Sequence, residues 1–193
     1  MDPASLIAAA AMVTWAPCNE GHCAKIKPPE GPVGNLVIAL GAADECSLKP
    51  SINVQPYGMK DGDRFRPGWL NIPGPKHSDY KDHLGELRVL ALPPGDYQVV
   101  LSVFGAKPVD GTLPVYKTTV FEGKTTYAGE YFFGACEAPI NPLSRWVRTP
   151  FSMPSSIVAN EDRDLAIART KATSLYPDVV DVIMRYDRRQ WDR

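Results

Sequence analysis

The chain has 193 residues, with 21 Lys+Arg against 22 Asp+Glu, a formal net charge of −1, and 44% hydrophobic residues. That length suits one ordinary domain able to bury a core of its own. The balanced charge excludes the basic footprint of a nucleic-acid binder. Nineteen Pro and 15 Gly exceed the ~12% usual for that pair, which favours many short segments over a few long helices.

In chain order, Ser5 to Ala16 (SLIAAAAMVTWA) is the one sustained apolar run. It is shorter than the ~20 residues a bilayer span needs, so no transmembrane span is expected. Its length and small residues fit the core and cleavage zone of a secretory signal peptide, although no Lys or Arg precedes it. Residues 1–16 therefore read as a signal-peptide remnant or an N-terminal helix, and residues 17–33 as a Cys-containing linker. The expected location is periplasmic or secreted. Four cysteines, Cys18, Cys23, Cys46 and Cys136, allow two disulfides in three connectivities. The expected pairs are Cys18–Cys23, as a local loop, and Cys46–Cys136, as a long-range staple. Zinc held by Cys18, His22 and Cys23 is the competing reading, but paired knuckles are missing.

Residues 34–159 read as a β-sandwich. Asn35 to Leu40 is a short apolar run between glycines, a buried strand. Ser51 to Tyr57 and Phe65 to Ile72 are weaker strands interrupted by Pro. Glu86 to Leu92 alternates with Leu87, Val89 and Ala91 on one face. Pro93-Pro94-Gly95-Asp96 is a strong turn, and Tyr97, Val99 and Leu101 share a face beyond it, so the two segments read as a hairpin. Leu113 to Phe121 and Lys124 to Phe133 repeat this around Glu122-Gly123, with Tyr127, Gly129, Tyr131 and Phe133 on one face. A turn every 8 to 12 residues is the mark of a sandwich or barrel. Residues 160–193 read as a helix and strand packed on the sandwich. Asn160 is a helix N-cap followed by Glu161, Asp162 and Asp164; the helix runs about four turns towards Pro177, and Val179 to Tyr186 forms a last strand.

No nucleophile elbow, HExxH helix, dinucleotide fingerprint or P-loop is present, so no catalytic residue and no cofactor is expected. The chemically richest stretch is the polar loop His77-Ser-Asp79-Tyr-Lys-Asp82-His83. Two imidazoles and two carboxylates, on His77, Asp79, Asp82 and His83, suit a divalent transition metal. A solvated loop accounts for the same residues without one. Trp69, Tyr80 and Trp146 are candidate aromatic anchors for a partner protein or glycan, and Tyr116 is read as facing outward.

Leu92-Pro-Pro-Gly-Asp-Tyr-Gln-Val99 resembles the corner of transthyretin-like and carboxypeptidase-regulatory-like sandwiches. Val120 to Tyr131 (VFEGKTTYAGEY) and Asn160 to Arg169 (NEDRDLAIAR) resemble a family of uncharacterised exported bacterial β-sandwich proteins. The resemblance covers roughly residues 85 to 177, implies an envelope-associated protein, and carries over no functional residue. The expectation is a mainly β, Ig-like or transthyretin-like antiparallel sandwich with one C-terminal helix and a final short strand. Its expected function is non-enzymatic binding of a protein or cell-envelope component. The alternative is a metal-binding protein, or metal-dependent enzyme, that uses the histidine loop.

Overall fold

The computed structural model describes residues 18–19, 22–23, 31–43, 51–57, 70–72, 74–75, 77–102, 115–133, 155–172 and 175–186. The expectations placed on residues 1–16, Cys46, Cys136, Trp69 and Trp146 fall outside them. Near the N-terminus, β1 (Cys18–Asn19) and β2 (His22–Cys23) form a two-stranded antiparallel pair in which Cys18 and Cys23 are backbone partners.

The rest is a sandwich of two five-stranded sheets. The first contains β3 (Gly34–Ala42), β6 (Leu84–Leu92), β9 (Thr125–Phe133), β10 (Ser155–Val158) and β11 (Val179–Asp181), in the order β10-β9-β3-β6 with β11 also on β9. The second runs β12 (Arg185–Tyr186), β8 (Val115–Val120), β7 (Gly95–Ser102), β4 (Ser51–Pro56), β5 (Leu70–Ile72). The expected mainly β sandwich with a helix and short strand at its C-terminal end is present, but its sheets are not wholly antiparallel: β3 runs parallel to β9, and so does β11.

Every residue of β3 is buried because the first sheet is covered on both faces. Leu36, Ile38 and Leu40 meet Ile52, Val54 and Val99 of the second sheet in the inter-sheet core. Val37 and Ala39 face the other way, against Leu165 and Ala168 of helix α1 (Glu161–Lys171). Alternate residues of a strand point to opposite faces, so the continuous apolar run of Asn35 to Leu40 serves two cores at once. Asn160 caps α1 by accepting a hydrogen bond from the Arg163 N–H at 3.4 Å. The helix has 11 residues, a turn shorter than expected; the chain leaves it in extended conformation at Ala172, before Pro177 could act.

Two expected hairpins are corrected. The turn at Pro93–Pro94 and the turn at Glu122–Gly123 each carry the chain from one sheet to the other, since β6 and β9 lie in the first sheet and β7 and β8 in the second. Alternating strands around a tight turn fit either a ladder or an arch. Here Leu92 and Tyr97 enter the same inter-sheet core, which an arch permits. The Tyr97 hydroxyl donates to the Pro93 carbonyl at 2.8 Å and fixes the corner.

The shared face of Tyr127, Gly129, Tyr131 and Phe133 is also corrected. The β3–β9 register shifts between Val37 and Ile38, which pair with Tyr127 and Gly129, leaving Ala128 as an extra residue. Gly129 has φ +85, a conformation glycine takes readily. One extra residue flips the faces of everything beyond it. Tyr127 consequently packs under the helix, while Tyr131 and Phe133 enter the inter-sheet core. The same flip turns Glu130 towards the helix side. Tyr116, expected outward, is buried and meets Tyr131 edge-on at 5.1 Å.

The C-terminal segment splits where one strand was expected. Residues 179–184 follow β9, with the Val182 and Met184 amides donating to Tyr127 and Ala128 carbonyls. Residues 185–186 then cross to pair with β8 of the second sheet. This strap closes one side of the sandwich, and the Thr118 hydroxyl donates to the Val182 carbonyl at 3.1 Å across the seam.

Candidate functional site

Two places concentrate polar chemistry. The first lies between the first sheet and α1, where the polar loop of residues 77–83 folds back on β6. Ser78 Oγ gathers the loop: its one hydrogen is placed to donate to the His83 carbonyl at 2.6 Å or the Tyr80 carbonyl at 2.8 Å, and it accepts from the Tyr80 and Gly85 amides. Asp79 Oδ2 accepts from the Leu87 N–H at 2.8 Å and from Lys171 Nζ, and Lys171 also donates to the Leu87 carbonyl at 3.1 Å. Among the described residues β6 pairs with β3 alone. These side chains therefore satisfy backbone groups on its outer edge, which is one way proteins block an edge strand.

Deeper in, Glu130 is 1% exposed and Asp164 is fully buried. Buried carboxylates need partners, and both have them. Glu130 Oε1 lies 2.6 Å from His83 Nε2 and Glu130 Oε2 accepts from Arg163 Nη2 at 3.2 Å. Arg163 Nε donates to Asp164 Oδ1 at 2.8 Å. The Tyr127 hydroxyl donates to Asp164 Oδ2 at 2.7 Å and accepts from the Asn160 amide. The outer nitrogen of His83 lies 2.8 Å from exposed Asp82. Ionised carboxylates only accept, so with a carboxylate at each ring nitrogen the His83–Glu130 contact must carry a proton. Tyr80 is sandwiched here: its ring stacks on His83 at 4.6 Å and lies under the Arg163 guanidinium at 4.2 Å.

The electrostatics follow. Burial, then the charges of Asp164 and Glu130, push the Tyr80 phenol well above its ordinary value. Burial, then the hydrogen bond to Asp164, does the same for Tyr127. Burial opposes the Arg163 charge, but the hydrogen bond and charge of Asp164 outweigh it and keep the guanidinium firmly protonated. Asp82 is held below the ordinary carboxylate range by its own backbone amide and by His83.

The loop residues proposed as metal ligands are thus divided. Asp79 faces Lys171 and Leu87, Asp82 faces His83, His83 reaches on to Glu130, and His77 is exposed. Among the described residues no group of three or more His, Cys, Asp or Glu is placed to hold a metal ion. Tyr80, a candidate partner-binding anchor, is 6% exposed and belongs to this network. Sequence reasoning missed Glu130, Arg163 and Lys171, whose only trace was the acidic start of the helix beside Arg163.

The second place is the outer face of the second sheet. Gln55 of β4, Gln98 of β7, Lys117 of β8 and Arg185 of β12 stand in register across four adjoining strands. Directly opposed residues share a face, and the neighbouring register of Val54, Val99 and Tyr116 supplies the core side. Beside the row, the Thr119 hydroxyl donates to Asp96 Oδ1 at 2.7 Å. Lys117 Nζ sits 3.4 Å above the centre of the Tyr57 ring, a cation–π contact. Tyr57 is 38% and Tyr186 43% exposed. An open groove of about 490 Å³ lies where the strap meets β8, lined by Lys117, Thr119, Asp181, Ile183, Arg185 and Tyr186 among others.

No protein-family description, curated protein or solved structure matches this chain. No helix among the described residues is long and apolar enough to cross a membrane.

Proposed function

We propose that this chain is a non-enzymatic, exported and envelope-associated binding module, and that a protein or cell-envelope partner docks on the outer face of the second sheet. The observation that carries the reading is the Gln55–Gln98–Lys117–Arg185 row. The first sheet has its described faces occupied by the inter-sheet core and by α1, and the charged groups between sheet and helix are engaged with one another. The second sheet brings Gln55, Lys117, Arg185 and exposed Tyr57 and Tyr186 to its surface, while Gln98 in the middle of the row is buried. Planar amides, cations and aromatic faces are residue types that recognise partners. The apolar run of Ser5 to Ala16, the even cysteine count and the resemblance to exported sandwiches support the compartment.

Site-specific photo-cross-linking in exporting cells tests the docking face. A cross-linking residue at position 117 is expected to give a discrete adduct that one at position 88, on the first sheet, does not. The same adduct from both positions, or none from 117, overturns the reading. The compartment is tested by the intact mass of protein recovered from an exporting host without reductant. The expected mass is trimmed near Ala11 or Ala16 and lighter by the hydrogens of two disulfides; an untrimmed, fully reduced mass overturns export.

A further inference from the structure

One edge of β9 is shared by two strands. β10 pairs with residues 130–133 in antiparallel fashion, and β11 pairs with residues 125–127 in parallel, the less stable ladder per residue. β11 begins the strap that crosses to β8 and closes the seam between the sheets. The seam makes specific demands. Thr118, Thr125, Tyr127 and Ala128 are buried, and buried polar groups need hydrogen-bond partners. The segment 176–186 supplies them. The Asp178 carbonyl accepts from the Thr125 amide at 2.9 Å, and the Tyr176 carbonyl accepts from the Thr125 hydroxyl at 2.8 Å. The Val182 and Met184 amides donate to the Tyr127 and Ala128 carbonyls at 3.0 Å, and the Val182 carbonyl accepts from the Thr118 hydroxyl. On the strap side every one of these groups is backbone.

Side chains hold the same segment lightly. Of residues 176–186 only Met184 is buried, where it plugs the inter-sheet core. Val179 and Ile183 lie half-buried against the helix-side core, and Pro177, Asp178, Asp181, Arg185 and Tyr186 are exposed. Few buried apolar contacts mark the segments that open well below the free energy of global unfolding. The chain leaves α1 in extended conformation at Ala172, so the strap can part from the sheets with the helix intact. An open seam then leaves buried donors and acceptors unmet, and a strand in the same register restores them. Exchange of an identical element between copies is a low-cost way to do so.

We propose that the seam between β9 and β8 is a strand-acceptor site, and that the strap of a second copy of this chain replaces the resident one to give a strap-exchanged dimer. The incoming segment lies parallel to β9 with its methionine in the socket of Met184. This goes beyond the binding-module reading and does not depend on it.

The test titrates a fluorescent peptide of residues 176–186 into the full chain and follows its polarisation. The parent peptide is expected to bind, and one carrying Met184→Asp at least about tenfold more weakly. In the full chain, Met184→Ala unplugs the resident strap and should tighten binding of the parent peptide about tenfold. Native mass spectrometry of mixed light and heavy full chain should show mixed dimers that grow with protein concentration. The parent chain carries a readout free of any variant: the Val182 and Met184 amides should exchange hydrogen together and faster than those of β3. Exchange as slow as in β3, or no binding of the parent peptide, overturns the acceptor site. Equal binding of the two peptides, or an unchanged affinity in a folded Met184→Ala chain, overturns the seating in the Met184 socket. A chain that binds the peptide yet stays monomeric at every concentration overturns the second copy as the occupant.

Discussion

Lys171, in the last turn of α1, and Asp79, in the loop before β6, together clasp the two backbone groups of Leu87. Asp79 takes the amide hydrogen, Lys171 gives to the carbonyl, and the two side chains pair with each other. The pair does for the outer edge of β6 what a neighbouring strand would do, while also tying the end of the helix to the sheet. Asp79→Ala removes the acceptor of a part-buried amide and leaves Lys171 without its carboxylate. We expect a loss of about 1–3 kcal/mol in denaturant unfolding. In a double-mutant cycle, Lys171→Met should cost less in the Asp79→Ala background than alone, because neighbours sharing one hydrogen-bond group are non-additive.

Glu130 is the buried charge on which the helix interface converges. Glu130→Ala removes the carboxylate that Arg163 and His83 share, each keeping only its second carboxylate partner, Asp164 or Asp82, and is expected to destabilise the fold by about 1–3 kcal/mol. A stability within experimental error of the parent chain would show that the network contributes nothing to helix docking.

Gly41 tests the same network without touching a charge. A Cβ there would run directly into the Glu130 carboxylate. Gly41→Ala should therefore push Glu130 off His83, seen as a shift of the His83 ring resonances together with a lower unfolding midpoint. Gly129→Ala acts differently: its φ of +85 is strained for any Cβ, which would also come within 3.1 Å of the Val158 carbonyl. That substitution is expected to cost about 1–2 kcal/mol from backbone conformation alone.

Three phenols set the alkaline limit. Burial, followed for Tyr80 and Tyr127 by the influence of Asp164, raises Tyr80 and Tyr127, and burial raises Tyr97 to about 12. A raised phenol pKa means that the fold favours the neutral form. The stability it contributes is complete below the ordinary value of 10 and is lost as pH rises through the folded value. Tyrosinate absorbance should therefore appear together with loss of structure between pH 10 and 12; ionisation of these rings with the fold intact would contradict the burial account. At the acid end Asp82 works in the opposite sense. Its lowered pKa contributes stability above the ordinary carboxylate value that disappears as pH falls through the folded one.

The architecture was legible wherever a local pattern had one physical meaning. The run Asn35 to Leu40 could only be buried, and Asn160 with three following acids could only begin a helix. Pro93–Pro94 and Glu122–Gly123 were legible as turns and not as arches, because alternation in the flanking strands records burial on one face and says nothing of which sheet supplies it. The flip after Ala128 was hidden for a related reason: one bulge residue reverses every face beyond it, and Gly129 was its single sign. In the loop, Asp79, Tyr80, Asp82 and His83 were recognisable as chemistry. Their partners were not, since Glu130 follows His83 by 47 residues and Lys171 follows Asp79 by 92. The row on the second sheet was invisible for the same reason, as its four members come from four strands.

The division of labour between a clamped loop and an open second sheet rests on the loop being fully engaged in structure. Amide hydrogen exchange at Gly85 and Leu87 in the full chain tests this most directly. Both amides are expected to be protected in the metal-free protein, to a degree comparable to β3, and Leu87 to lose its protection in Asp79→Ala. Rapid exchange at both in the parent chain, slowed only when a divalent transition metal is added, would contradict it and return His77, Asp79, Asp82 and His83 to the role of metal ligands.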